Sequence, residues 1–208
     1  MQGSYKKGDK LPPERELAAL LSASRNSVRE GLGILERMGV ISSQQGAGNF
    51  ISDNFEKTLI EVMTLMFILE EGTFREISEF RYALEMQALS LAMKNITEEQ
   101  QTDIEYYMSM LEQTPGEEQK AYYDKKIHYT ITAASGNRFI IDNLQALTEV
   151  MDVFIKDMRA KILSDGSNSE GLMSAHRQMV EALREKDESK GLKALKAHFE
   201  YIYAYIDG

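Results

Sequence analysis

The sequence predicts a mainly α protein in two parts: a helix-turn-helix with a β-hairpin behind it, then an antiparallel α-helical bundle. Three observations carry this. The run "LPPERELAALLSASRNSVREGLGILERMGV" reads as two short amphipathic helices broken at "SAS". "VISSQQGAGNFIS" has β-branched and aromatic ends around a Gly-X-Gly centre, the pattern of a hairpin. From about Phe55 onward the apolar spacing is helical throughout.

The elements follow in order. The first ten residues are polar and read as a loop. Pro12 and Pro13 suit a helix start, where no N–H donor is needed. Leu17, Leu20 and Leu21 form the apolar stripe of that helix. Ser24 is placed to cap the next, whose stripe is Val28, Leu32 and Leu35 and which Gly39 ends. The hairpin comes next. Helices are then expected over 54–70, 73–94, 97–113, 117–135, 138–163, 168–186 and 188–206. Thr97 and Gln100 form a capping box, and "QTPGEE", "SGN" and "SDGSNSEG" supply breaks and a loop. The expected organisation is a winged helix-turn-helix over 1–53, a linker helix over 54–72, and a helical domain over 73–208.

Composition narrows the function classes. The chain has 208 residues, 43% of them hydrophobic, enough for a real core. It has no run of 18 apolar residues and no charged segment leading into an apolar signal core, so no membrane partner and a cytoplasmic location are expected. The lack of cysteine excludes disulfides and thiolate ligands. The net charge of −9 argues against nucleic acid until its distribution is read. Residues 1–52 hold seven Lys/Arg against five Asp/Glu, a net of +2, which leaves −11 on the rest. A mildly basic head on an acidic body fits a DNA reader joined to a part that does not touch DNA.

In a helix-turn-helix the second helix enters the major groove with its N-terminal end. That end is "SRNSVRE" here, and it offers Ser24, Arg25, Asn26, Ser27 and Arg29. Arginine pairs bidentately with guanine, asparagine with adenine, and hydroxyls meet phosphate. Arg15 opens the first helix and would reach the backbone; Gly46 and Gly48 would let a wing approach DNA closely. The competing reading is a plain helical hairpin with surface arginines.

All three histidines, His128, His176 and His198, fall on apolar stripes, and Asp124 precedes His128 by one helical turn. A buried imidazole needs partners for both ring nitrogens. Each histidine alone fits a satisfied core residue, while convergence of all four residues on one divalent ion (Zn, Ni, Mn or Fe) accounts for them together. On an ion that accepts six ligands, two positions would remain for water or a carboxylate.

The stretch "GDKLPPERELAALLSASRNSVREGLGILERMGVISSQQGAGNFIS" resembles the winged helix-turn-helix of the GntR family of bacterial transcription factors over about 45 residues. The resemblance implies DNA contact by Arg15, Ser24, Arg25, Asn26, Ser27 and Arg29, and wing contact near Gln45 and Gly46. That family carries a further helix before the matching stretch, where this sequence has "MQGSYKK", so the winged domain is expected to be incomplete at its N-terminus. Residues 73–206 resemble the FadR-type C-terminal domain (FCD) that follows it. Asp124, His128, "SGN" (Ser135, Gly136, Asn137), His176 and His198 match its metal-binding pattern. "EISEFRYALEMQALSLA" matches its first helix, so Arg81 is expected to face the pocket and pair with a carboxylate effector; a salt bridge with Glu85 or another acid is the alternative.

Taken together, the expectation is a homodimeric transcription regulator that binds operator DNA and answers to a small organic acid. A metalloenzyme in a helical bundle is the rival, weakened by the lack of HExxH and Glu-x-x-His. A sensor without DNA binding is the third reading.

Overall fold

The computed structural model describes residues 5–52, 55–70, 73–154 and 166–206. The chain divides into two compact units, Met1–Val62 and Met63–Gly208. The division falls inside a helix, α3 (Phe55–Leu69).

The first unit opens with α1 (Glu14–Leu20) and α2 (Arg25–Arg37). Pro13 is the N-cap of α1 rather than its first helical residue. Ser24 caps α2 as expected, its Oγ accepting from the Ser27 amide at 3.1 Å. Gly39, at φ +69°, turns the chain out of α2 where a side chain would be strained. Strands β1 (Ile41–Gln44) and β2 (Gly48–Ile51) pair antiparallel, Ile41 opposite Ile51 and Gln44 opposite Gly48, with Gly46 at φ +77° in the turn. Ala18, Val28, Leu32 and Ile41 are the buried centre, edged by Leu11, Leu17, Val40 and Ile51.

The second unit is helical among its described residues: α4 (Phe74–Asn95), α5 (Glu98–Gln113), α6 (Glu117–Ala134), α7 (Arg138–Phe154), α8 (Gly166–Glu185) and α9 (Glu188–Ile206). Capping boxes start α4 (Thr73 with Glu76) and α5 (Thr97 with Gln100), each satisfying two amides that have no partner inside the helix. Helix α4 packs on α6, α7 and α9, and α8 packs along α9. Two residues join those last helices, so they run antiparallel. Gly191 lets α9 sit close: a Cβ there would come within 2.5 Å of the Met93 side chain of α4.

Two helix limits differ from the pattern. The expected helix 138–163 is observed as Arg138–Phe154, and its remainder lies outside the described residues. The expected helix 168–186 begins two residues earlier, at Gly166, within the "SDGSNSEG" expected to supply a loop. Gly171 lies under the Tyr201 ring of α9, leaving no room for a Cβ.

Candidate metal centre and nucleic-acid interface

Four helices of the second unit build one polar cluster inside an apolar core. Helix α6 carries Asp124 and His128 one turn apart. Helices α8 and α9 bring His176 and His198, and α4 supplies Arg81 and Glu85. The core-facing stripe of α4 is polar at its start (Ser78, Arg81, Glu85) and apolar after it (Ala88, Leu89, Ala92, Met93). The three imidazoles are buried, with 5, 1 and 2% of their surface exposed for His128, His176 and His198. Asp124 is the more open member, its side chain 16% exposed.

The four residues expected to share an ion converge: one donor atom from each lies within 4.8 Å of all the others. His176 Nε2 is 2.9 Å from Asp124 Oδ1 and 3.2 Å from His128 Nε2, and His128 Nε2 is 4.0 Å from the same Asp124 oxygen. The ring centroids stand 4.6–5.3 Å apart.

The outer hydrogen bonds fix the chemistry of these nitrogens. His176 Nδ1 lies 2.9 Å from the Leu172 carbonyl, which only accepts, so Nδ1 carries the proton. His128 Nδ1 lies 2.7 Å from Glu85 Oε2. Burial raises the Glu85 pKa, but Arg81 and His128 beside it more than offset this and hold it at about 2. The carboxylate is therefore ionised and accepts, so His128 Nδ1 is also protonated. In the neutral form that binds metal, these two imidazoles turn their Nε2 lone pairs toward each other and toward a carboxylate. That arrangement is repulsive without a cation between them. Two nitrogens 3.2 Å apart fit a shared ion, since each would lie about 2.1 Å from it. The third imidazole agrees. Burial, then His176 and His128, push the His198 pKa well below the usual imidazole value, and its buried Nδ1 has no hydrogen-bond partner among the described residues. A neutral imidazole is the form that binds metal. The residues present fit a divalent ion.

Arg81 is held by Glu85. Its Nε donates to Glu85 Oε1 at 2.5 Å, its side chain is 10% exposed, and its guanidinium lies over the Phe199 ring. The salt bridge weighed as the alternative is thus present in the structure. Sequence reasoning named Glu85 only as that partner and missed its contact with His128. A signal was available, since an acid one turn after Arg81 on a core-facing stripe has to be paired.

In the first unit Arg15, Ser24, Arg25, Asn26, Ser27 and Arg29 are all exposed, as are Gln45 and Gly46 at the hairpin tip. Ser24 and Ser27 are partly used internally, their hydroxyl oxygens 2.9 Å apart beside the cap. Arg29 has an internal partner that the sequence reading did not anticipate. Its Nε and Nη2 donate to the Glu14 carboxylate at 2.8–3.2 Å, tying α2 to α1.

Comparison with known proteins agrees with this architecture. Residues 76–201 match the FCD domain model and residues 1–51 the model "Bacterial regulatory proteins, gntR family". The chain is 27% identical, over 94% of its own length and 77% of the relative's, to the "Putative L-lactate dehydrogenase operon regulatory protein" of Escherichia coli (strain K12). It is 23% identical to the HTH-type transcriptional regulator LutR of Bacillus subtilis (strain 168), over 99% of this chain and 95% of that one. The solved structure described as Streptococcus agalactiae GntR superposes with a TM-score of 0.67 at 25% identity, covering 96% of this chain and 91% of that one. These relatives are named as regulators, not as enzymes. Among the described residues no helix is long and apolar enough to cross a membrane. The chain belongs to the GntR family of bacterial regulatory proteins and is a DNA-binding transcriptional regulator with a C-terminal FCD domain.

Proposed function

We propose that this regulator is controlled by a small organic acid bound at a divalent metal ion in its FCD domain. Asp124, His128, His176 and His198 would hold the ion. The observation that carries this reading is the pair of Nε2 atoms, 3.2 Å apart, whose other ring nitrogens already face acceptors. The ion would supply an electrophilic seat for an oxygen donor. Arg81 is the proposed second contact: a guanidinium has five N–H groups, and among the described residues only Nε has a hydrogen-bond partner, Glu85. The E. coli relative's name, which refers to an L-lactate dehydrogenase operon, supports a hydroxy acid as the first class to try.

On the DNA side, α2 would enter the major groove with Arg25, Asn26 and Arg29 near the bases and Ser24 and Ser27 near phosphate. Arg15 would meet the backbone, and Gln45 and Gly46 would form the wing. The domain limits proposed are 1–53 for the winged part, 54–72 for the linker and 73–208 for the effector part. One recognition helix contacts too few base pairs for specificity, so the working form proposed is a homodimer on a two-fold symmetric operator.

The test is a thermal-shift screen of hydroxy acids, dicarboxylates and sugar acids on the Zn²⁺-loaded chain, followed by operator titration with any acid that stabilises it. The reading expects a stabilising acid that changes operator affinity and loses its effect after chelation. Stabilisation by neutral apolar compounds only, or acid binding that survives metal removal, would contradict it.

A further inference from the structure

We infer that Glu85 is the positioning residue of the metal centre, and that it sets which nitrogen of His128 carries the proton. This rests on the reading of the four-residue cluster as a metal site. One Glu85 oxygen accepts from Arg81 Nε at 2.5 Å and the other lies 2.7 Å from His128 Nδ1. The carboxylate is 7% exposed and its Arg81 partner 10%, so water does not substitute readily for either contact. A carboxylate offers acceptors on both oxygens, and this satisfies an arginine donor and an imidazole donor at once. His128 therefore keeps its proton on Nδ1 and presents the Nε2 lone pair to the ion. Outer-shell acceptors of this kind fix the orientation and raise the basicity of a ligating imidazole.

The arrangement has a consequence that packing alone would not produce. In Glu85→Gln the shape is retained but one oxygen becomes an NH₂ donor. Arg81 has no acceptor function, so it must claim the remaining oxygen. The amide NH₂ then faces His128 Nδ1 and requires a lone pair there. His128 would move its proton to Nε2, the nitrogen that should bind metal. Exchanging one oxygen for NH₂ in a side chain that touches no ion would thus close a ligand position.

The experiment uses the full chain. Long-range ¹H–¹⁵N NMR of the imidazoles in the metal-free protein reads the His128 tautomer, and competition with a chromophoric chelator reads Zn²⁺ affinity. In the wild type His128 should be protonated on Nδ1. In Glu85→Gln it should be protonated on Nε2, and Zn²⁺ affinity should fall at least tenfold, in the range that loss of an outer-shell partner causes. Glu85→Asp keeps two acceptors, so it should retain the wild-type tautomer and more of the affinity than Glu85→Gln. An unchanged tautomer in Glu85→Gln, or Zn²⁺ affinity within threefold of wild type, would overturn the inference. So would a wild-type His128 protonated on Nε2, a result that needs no variant to fold. Failure of the wild type to bind any of Zn²⁺, Ni²⁺, Mn²⁺ or Fe²⁺ would instead remove the metal reading, while the tautomers would still decide the role of Glu85.

Discussion

The two units place their chemistry oppositely. The winged unit buries four apolar residues in its main cluster and displays its polar donors on the surface; the helical unit buries sixteen and places its imidazoles and a carboxylate–guanidinium pair inside. An exposed donor is satisfied by water until a phosphate or a base replaces that water. A buried donor must be satisfied from within, by neighbours or by an ion. The first unit therefore leaves its donors open to a partner, and the second encloses its own.

The largest effect should come from breaking the buried cluster. His176→Ala removes the imidazole whose Nε2 lies 2.9 Å from Asp124 Oδ1 and 3.2 Å from His128 Nε2. It should abolish Zn²⁺ uptake and the stabilisation that Zn²⁺ gives, about 4 kcal/mol when the free ion is a thousandfold above its Kd. Melts followed by circular dichroism with and without Zn²⁺ check this; equal stabilisation of wild type and variant would contradict it.

Leu32→Ala strikes the smaller core. Leu32 is one of its four buried members, so the change should cost about 2–4 kcal/mol. The loss should appear in the amide signals of residues 14–51, with Zn²⁺ affinity unchanged. A fall in Zn²⁺ affinity would show that the two units are not independent in this respect.

How far each unit was legible in the sequence follows the same division. The winged unit is written locally. Ser24 caps α2, Gly39 ends it and Gly46 turns the hairpin, each decided within a few residues. The Arg29–Glu14 pair was not legible, because its residues lie 15 positions apart on two helices and it depends on their packing angle. In the helical unit the Asp124–His128 spacing and the histidine stripes suggested a shared ion. Periodicity gives the face of a helix, however, and not its neighbour, so convergence stood beside the satisfied-core reading until the resemblance favoured it. The role of Glu85 was hidden for the same reason: its partner on α6 is 43 residues away, although its pairing with Arg81 one turn earlier was in view. The start of α8 lies two residues before the expected 168, because Gly166 and Ser167 read locally as turn formers.

On the surface the effects should be smaller. Arg25→Ala should cost about 1–3 kcal/mol of specific operator binding if the side chain reads guanine. Arg29→Ala should cost less, since part of its charge is already spent on Glu14. Glu14→Gln should free Arg29 and tighten binding to random duplex, with a steeper salt dependence; fluorescence anisotropy across a salt series reads both. An unchanged salt slope would show that Arg29 stays away from phosphate.

The smallest effect is at the start of α4. Bonds from the Thr73 backbone amide and then its hydroxyl lower the Glu76 pKa. A lowered folded-state value means the stabilisation is complete above the usual carboxylate pKa and is lost as pH falls through the lower value. Thr73→Ala should cost about 1 kcal/mol near neutral pH. The backbone amide still bonds Glu76 in the variant, so only the part of the difference owed to the hydroxyl–carboxylate bond should fade in acid; a constant difference from neutral pH down to pH 3 would argue against that bond.

The central claim is that the buried cluster of the helical unit holds one divalent ion, and metal stoichiometry of the intact chain tests it most directly. Elemental analysis after mild purification, repeated after equilibration with Zn²⁺, Ni²⁺ and Mn²⁺, should give close to one equivalent per chain in the wild type and none in His176→Ala. Less than a tenth of an equivalent in the wild type, with no uptake of any of the three ions, would contradict it.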